Sequence, residues 1–222
     1  MSLSKLIICI LLFNFSNIIA QGLLIDRKQN ALGLEIGKSW TNNISPFSVG
    51  TGFSLSGLID VGFVIGSGKF KDNTIDQYDL SFNSFAFNLQ ICVVKPTIDT
   101  QPFGLAFALI YDDINYTKTS LNNSLDSKEY KANIAAPVLI LYSLNQISDN
   151  RILASLVIGY SVTSGGIEGK KLGSNYVSVG LNADIAHEFS ERFLGTWGLG
   201  IAVANSSFSA GVSIGFIYKV KI

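Results

Sequence analysis

Cysteine, histidine and charge are all scarce in this chain of 222 residues, and each scarcity removes a class of function. With two cysteines and a single histidine, His187, there is no set of nitrogen and sulfur ligands from which a zinc site is built. No cofactor is expected. Charged residues make up 14% of the chain, against about 25% in ordinary soluble domains, and their signs cancel to +0. So sparse and balanced a charge gives no footprint for nucleic acid. Long apolar runs are missing too: beyond the N-terminus none approaches the roughly 18 to 20 residues that a membrane helix needs. Yet 48% of the residues are hydrophobic. A chain with that composition and no spanning helix can sit in lipid only as a closed sheet.

The N-terminus, MSLSKLIICILLFNFSNIIAQG, reads as a secretory signal peptide over residues 1–20. Lys5 supplies the basic start, Leu6 to Phe13 the compact apolar stretch, and Ala20 the small residue before the cut. An uncleaved anchor is opposed by the shortness of that stretch and by Asn14 and Asn17. Cys9 leaves with the signal, so Cys92 has no partner for an internal disulfide. Residues 21–222 are expected to form one domain.

Past residue 30 the apolar residues recur with period two, which argues strands. Leu32, Leu34, Ile36 and Trp40 alternate with Ala31, Gly33, Glu35, Gly37 and Ser39; Phe85, Phe87, Leu89 and Ile91 alternate with Ser84, Ala86, Asn88, Gln90 and Cys92. The chain closes in the same way, with Phe208, Val212, Ile214, Phe216 and Tyr218 on one face. The second face holds small and amide residues with occasional acids. A soluble barrel would cover its exterior with charge and point its large apolar groups inward. Here the second face is too small and too uncharged for a solvated exterior, and suits the crowded inside of a narrow barrel. The large apolar groups then face lipid.

Ten segments follow this rule, at about 31–41, 46–55, 58–69, 77–94, 101–116, 128–146, 151–163, 174–189, 192–204 and 207–221. Register is weakest over 128–163, where Leu139, Leu141, Leu153 and Val157 put apolar groups on the face expected to be polar, and eight strands stay compatible with the pattern. Short turns at Ser56-Gly57, Lys95 to Thr100, Gln146 to Asn150 and Ser190-Glu191 fall at one end. Longer polar stretches around Lys71, Asn122 and Lys170 fall at the other. The fold class is therefore all-β, a single antiparallel transmembrane β-barrel of about ten strands after a signal peptide.

With these features the mature chain resembles the small bacterial outer-membrane β-barrel proteins of the OmpA/OmpX-like, porin-family kind. The last strand is similar to their assembly signal, with Ser213, Gly215, Tyr218 and Val220 at the polar, glycine and two hydrophobic places; Ile222 departs from the usual final Phe. The resemblance implies location in the outer membrane of a Gram-negative cell envelope, both termini in the periplasm, and partnership with outer-membrane lipid, periplasmic chaperones and the barrel-assembly machinery. It implies no activity.

Acids recur on the inward face at Glu35, Asp60 and Asp184, with Lys219 and Lys131 as candidate counter-charges. A lumen salt-bridge network is the plain expectation, because a buried charge must be paired; a selectivity filter is the sharper one. Asp112-Asp113 and His187 suggest the outer-membrane proteases, but His187 falls next to the periplasmic turn at Ser190 and Asp112 near the outer end of its strand, out of hydrogen-bond reach. Trp40, Trp197, Tyr111, Tyr142 and Tyr160 are candidates for interfacial aromatic girdles. The expected function is non-enzymatic: a structural, adhesion or surface-interaction barrel with outer loops open to an extracellular partner. A small-solute or hydrophobic-molecule channel is the alternative, and a soluble periplasmic ligand-binding barrel would require the faces to be inverted.

Overall fold

The computed structural model describes residues 20–41, 44–69, 78–96, 101–120, 127–167, 170–171, 175–204 and 207–220. It opens with one turn of helix, α1 (Ala20–Leu23). Strands follow in order: β1 (Asn30–Thr41), β2 (Phe47–Leu55), β3 (Ile59–Lys69), β4 (Tyr78–Val94), β5 (Phe103–Ser120), β6 (Ser127–Ile147), β7 (Asn150–Ile167), the two-residue β8 (Lys170–Lys171), β9 (Asn175–Ser190), β10 (Phe193–Ala204) and β11 (Ser207–Val220). Each pairs antiparallel with its neighbour, β7 pairs with β9, and β1 pairs with β11, with Glu35 opposite Gly215. Ten strands therefore close on themselves, and β8 is a short hairpin partner of β7 alone. Closure satisfies every edge, which a sheet in lipid requires.

The alternation of faces is as the sequence predicts. Along β1 burial alternates strictly from Ala31 to Thr41, and Leu32, Leu34, Ile36 and Trp40 point outward. The outward face carries large apolar groups around the whole circumference, Ile65 at 64% and Leu199 at 63% exposure among them. In water this belt would be an enormous apolar patch; in a bilayer it is the surface lipid wets. No helix among the described residues is long and apolar enough to cross a membrane.

The weakly patterned region resolves into two strands: β6 is apolar on both faces, whereas the inner face of β7 sets Leu153 and Val157 among Arg151, Ser155, Gly159, Ser161 and Thr163. In β6 the inward residues are Ala132, Ile134, Ala136, Val138, Ile140, Tyr142 and Leu144, while Leu139 and Leu141 look outward. In β7 Leu153 and Val157 are fully or nearly buried inside. Tyr142 is thus not a girdle residue: it points into the barrel, bonded to Cys92 Sγ at 2.8 Å and donating to the Val94 carbonyl at 3.2 Å. Trp40, Trp197, Tyr111 and Tyr160 do lie on the outer face. The β6–β7 ladder skips from Ala135 to Val138, where Pro137 has no N–H to donate.

At the end that carries both termini, the periplasmic end by the resemblance above, the β2–β3, β6–β7 and β9–β10 connections are tight. Ser56 and Gly57 both have positive φ, 55° and 61°, the conformation of a two-residue turn that matches strand twist. At the opposite end β4 to β7, with 17, 18, 21 and 18 residues, outrun β1 to β3, with 12, 9 and 11. About 9 to 11 residues suffice to span a bilayer. Lys71 and Asn122 lie outside the described residues, and Lys170 begins β8.

Candidate functional site

A barrel of ten strands has an interior that side chains can fill, and small inward residues decide where space is left. At the periplasmic end that space is taken by the chain itself. Leu23, Leu24 and Ile25 have no exposure and pack in one cluster with Ala106, Val138, Tyr142, Leu144 and Leu153 among others. Val138, Ile140, Tyr142 and Leu144 of β6, with Leu153 and Val157 of β7, form the apolar wall against this segment. Buried backbone must still be bonded. Lys95 Nζ donates to the carbonyls of Gly22 and Gly57, each at 2.7 Å, and Arg151 Nη1 donates to the Leu24 carbonyl at 2.9 Å. Arg151 also holds Asp26 through both carboxylate oxygens.

A turn then carries the segment out of the lumen into β1. Gln29 N–H donates to the Asp26 carbonyl, Lys28 takes a left-handed φ of 68°, and its N–H donates to the Ser56 carbonyl at 3.0 Å. Gly57 is required here twice over, by its φ of 61° and because a side chain would meet the Asp26 carbonyl and Lys95 Nζ. Lys95, just past the end of β4, is buried, and that burial pulls its ammonium down to a pKa of about 8.

Above this plug lies a polar band. Glu35, Asp60 and Asp184 all point inward and are buried. Gln90 Nε2 donates to Asp60 Oδ2 at 2.7 Å. Glu35 Oε1, Asp60 Oδ1, Asn88 Oδ1 and Gln90 Oε1 have no hydrogen-bond partner among the described residues. A small cavity is lined by Glu35, Asp60, Asn88 and the glycines of β2 and β3. Asp184 Oδ1 and Ser213 Oγ crowd against Gly198, where no side chain would fit. Still further out, Ile44, Phe82, Ile114, Tyr116 and Tyr176 form a second buried cluster beneath the outer rim.

The expected counter-charges are placed elsewhere. Lys219 shares a row with Asp60 through Ser54 and Ala31, but that row is three strands wide, roughly 14 Å of sheet. Lys219 instead bonds Glu188 at 2.9 Å. Lys131 is exposed on the outward face of β6, opposite Asn115, so it cannot balance a lumen acid. The cations that do enter the lumen end, Lys95 and Arg151, together with Asp26, were not singled out by pattern. Their signal was the apolar Leu23-Leu24-Ile25 just past Ala20, together with β6, which is apolar on both faces.

Asp112 and His187 are also kept apart. The registers carry Asp112 through Ile134 to Thr163, level with the start of β9 at Asn175, twelve residues from His187. That is roughly 40 Å of strand. His187 Nδ1 bonds Asn150 Oδ1 at 3.0 Å across the periplasmic rim, and its ring meets Phe189 edge-on. Of the assembly-signal residues, Ser213 and Gly215 are on the lumen side of β11 and Tyr218 and Val220 on the other.

No protein-family model matches the chain, and no curated protein sequence does. Solved structures match in fold. The translocator domain of the autotransporter NalP from Neisseria meningitidis is similar with a TM-score of 0.55 at 11% identity, over 90% of this chain and 91% of that one. The transport unit of the autotransporter AIDA-I from Escherichia coli is similar at 0.51 and 9% identity, over 98% of both. The β domain of the Bordetella autotransporter BrkA is similar at 0.50 and 10%, over 86% of this chain and 98% of that one. By fold this chain is an outer-membrane β-barrel. Identities this low carry the fold and nothing of role.

Proposed function

We propose that this chain is a non-enzymatic outer-membrane barrel that works by display, offering the polar outer parts of β4 to β7 to an extracellular partner. The observation that carries this reading is the filled lumen. Leu23 to Ile25 occupy the periplasmic end, and Ile44, Phe82, Tyr116 and Tyr176 the outer end, so buried apolar side chains stand at both ends of the route a solute would take. The outer parts of the long strands change character along one face. In β5 the outward series runs Phe107, Leu109, Tyr111 and then Asp113, Asn115, Thr117; in β6 it runs Leu141, Leu139 and then Asn133, Lys131, Glu129. That change marks where lipid ends. With its amide turned so that the nitrogen faces β5, Asn133 donates to Asp113 Oδ1 at 2.8 Å across the two strands, as suits a wall that stands in water.

The separation of Asp112 from His187 supports the non-enzymatic reading. Ser213, Gly215, Tyr218 and Val220 support recognition by the barrel-assembly machinery and its chaperones. Single-channel recording on the refolded chain in a planar bilayer tests the display reading, with heat-modifiable gel migration as the check of folding. A folded barrel without stable current steps is expected. Reproducible steps would overturn it in favour of a channel, with Glu35, Asp60 and Asp184 as its lining charges.

A further inference from the structure

The lumen has more acceptors than donors beside the point where the N-terminal segment enters it. Gly22 lies so close to the Asp60 carboxylate that any side chain there would overlap both of its oxygens. Asp60 Oδ2 accepts from the Gln90 amide, and the Ser54 hydroxyl faces the same carboxylate from the opposite strand. Asp60 Oδ1, Glu35 Oε1 and Asn88 Oδ1 have no hydrogen-bond partner among the described residues, and Asn88 is 1% exposed. These three residues line one small cavity. Of the two nearby cations, Arg151 donates to the Leu24 carbonyl and to Asp26, and Lys95, whose charge also acts on Asp60, directs two of its N–H groups at carbonyls. What the cavity calls for is a compact cation with several N–H donors, delivered from the direction of Gly22.

The chain can make such a group from its own backbone. Removal of residues 1–20 would hydrolyse the Ala20–Gln21 amide: the C–N bond breaks, the hydroxyl of water goes to the Ala20 carbonyl carbon, and a proton goes to the Gln21 nitrogen. A signal peptidase supplies the catalysis, and in water the new amine takes up a second proton to become an ammonium with three donors. We propose that Asp60, with Glu35 and Asn88 behind it, is the receptor for the α-ammonium group of Gln21. Gln21 immediately precedes Gly22, so the new terminus is one residue from the carboxylate that Gly22 already touches. Processing would then do more than release the chain: it would supply the charge that locks the plug into the barrel. A buried carboxylate without a partner costs stability, and one paired with an ammonium largely recovers it.

This inference rests on the signal-peptide reading, and the test separates the two. Intact mass and N-terminal sequencing of the protein purified from membranes give the first residue. A start other than Gln21 would overturn the cleavage reading and the proposal with it. With Gln21 established, the free-amine form is compared with the form whose Gln21 has been cyclised enzymatically to pyroglutamate, which removes the charge. The heat-modifiable unfolding midpoint is expected to fall by several degrees on cyclisation when Asp60 is present, and to be insensitive to it in Asp60→Asn. Equal midpoints for the two forms with Asp60 present would overturn the pairing and leave the cleavage reading intact. If Asp60→Asn does not fold, an amine-acylating reagent decides on the unaltered sequence. Protection of the Gln21 amine in the folded barrel, lost on unfolding, is expected; equal labelling before and after unfolding would overturn the pairing.

Discussion

Arg151 reaches Asp26 with two parallel bonds, Nη1 to Oδ1 at 3.0 Å and Nη2 to Oδ2 at 2.8 Å, and so ties β7 to a segment 125 positions earlier in the chain. The same guanidinium bonds the Leu24 carbonyl, which has left water. The pair is unequal: Arg151 is 9% exposed at its side chain and Asp26 48%. Asp26→Asn is expected to cost about 1 kcal/mol, because solvent screens that partner. Arg151→Met should cost about 2 to 3 kcal/mol, since it also strands a buried carbonyl. Urea unfolding of the refolded barrel in vesicles measures both, and equal losses would mean the Leu24 bond contributes nothing.

Lys95 predicts a pH dependence whose sign follows from burial. Its ammonium has a folded pKa of about 8 against the ordinary 10.5, so between those values the unfolded chain binds more protons than the folded one. Stability from this group is therefore greatest above pH 10.5 and is lost as the pH falls toward 8. Deprotonation does not break the plug, because a neutral amine keeps two N–H groups for the two carbonyls of Gly22 and Gly57. The unfolding midpoint should rise from pH 8 to pH 10, and Lys95→Met should flatten that rise. A midpoint that falls over the same interval in the unaltered protein would contradict the assignment.

Gly57→Ala should be among the most harmful single changes at the periplasmic rim. The substitution strains a φ of 61° and drives a methyl group onto the Asp26 carbonyl and Lys95 Nζ. Left-handed strain alone is worth about 1 to 2 kcal/mol. At Ser56, whose φ of 55° is met by a non-glycine residue already, Ser56→Asn should be tolerated. Parallel refolding yields of the two variants check the contrast.

How much of this was legible in the sequence follows from where each strand's two faces lead. In β1 to β3 one face meets lipid and the other a narrow lumen, so large and small residues alternate and the register can be read directly. In β6 and β7 lipid lies on one side and the plug on the other. Both faces of β6 are apolar and Leu153 and Val157 interrupt the polar inner face of β7, so period two fades although each is a continuous strand. The plug itself, Leu23-Leu24-Ile25, reads as a continuation of the expected signal because its apolar residues answer to a lumen assembled from strands as far along the chain as β6 and β7. Lys219 reads as a counter-charge to the lumen acids from sequence alone; Glu188, which captures it, lies two strands away on β9, within reach only once β9, β10 and β11 are in register. Glu35→Gln should accordingly leave the Lys219 pair intact.

The boundary between lipid and water predicts opposite outcomes for the same substitution. Leu199 sits at mid-strand on the outward face of β10, 63% exposed, opposite Val212 of β11. A lysine there must enter the bilayer core, and Leu199→Lys should cost about 2 to 4 kcal/mol. Thr117 faces outward on β5 opposite Glu129 of β6, six residues beyond Tyr111, where the outward series has turned polar. Thr117→Lys should stay within about 0.5 kcal/mol of the unaltered chain, because it meets water and a facing carboxylate. Guanidinium unfolding in lipid vesicles compares the two directly. Comparable losses would place Thr117 within the lipid and remove the wall on which display to an extracellular partner depends; a cost confined to Leu199 sets the outer parts of β4 to β7 clear of the membrane, available for contact.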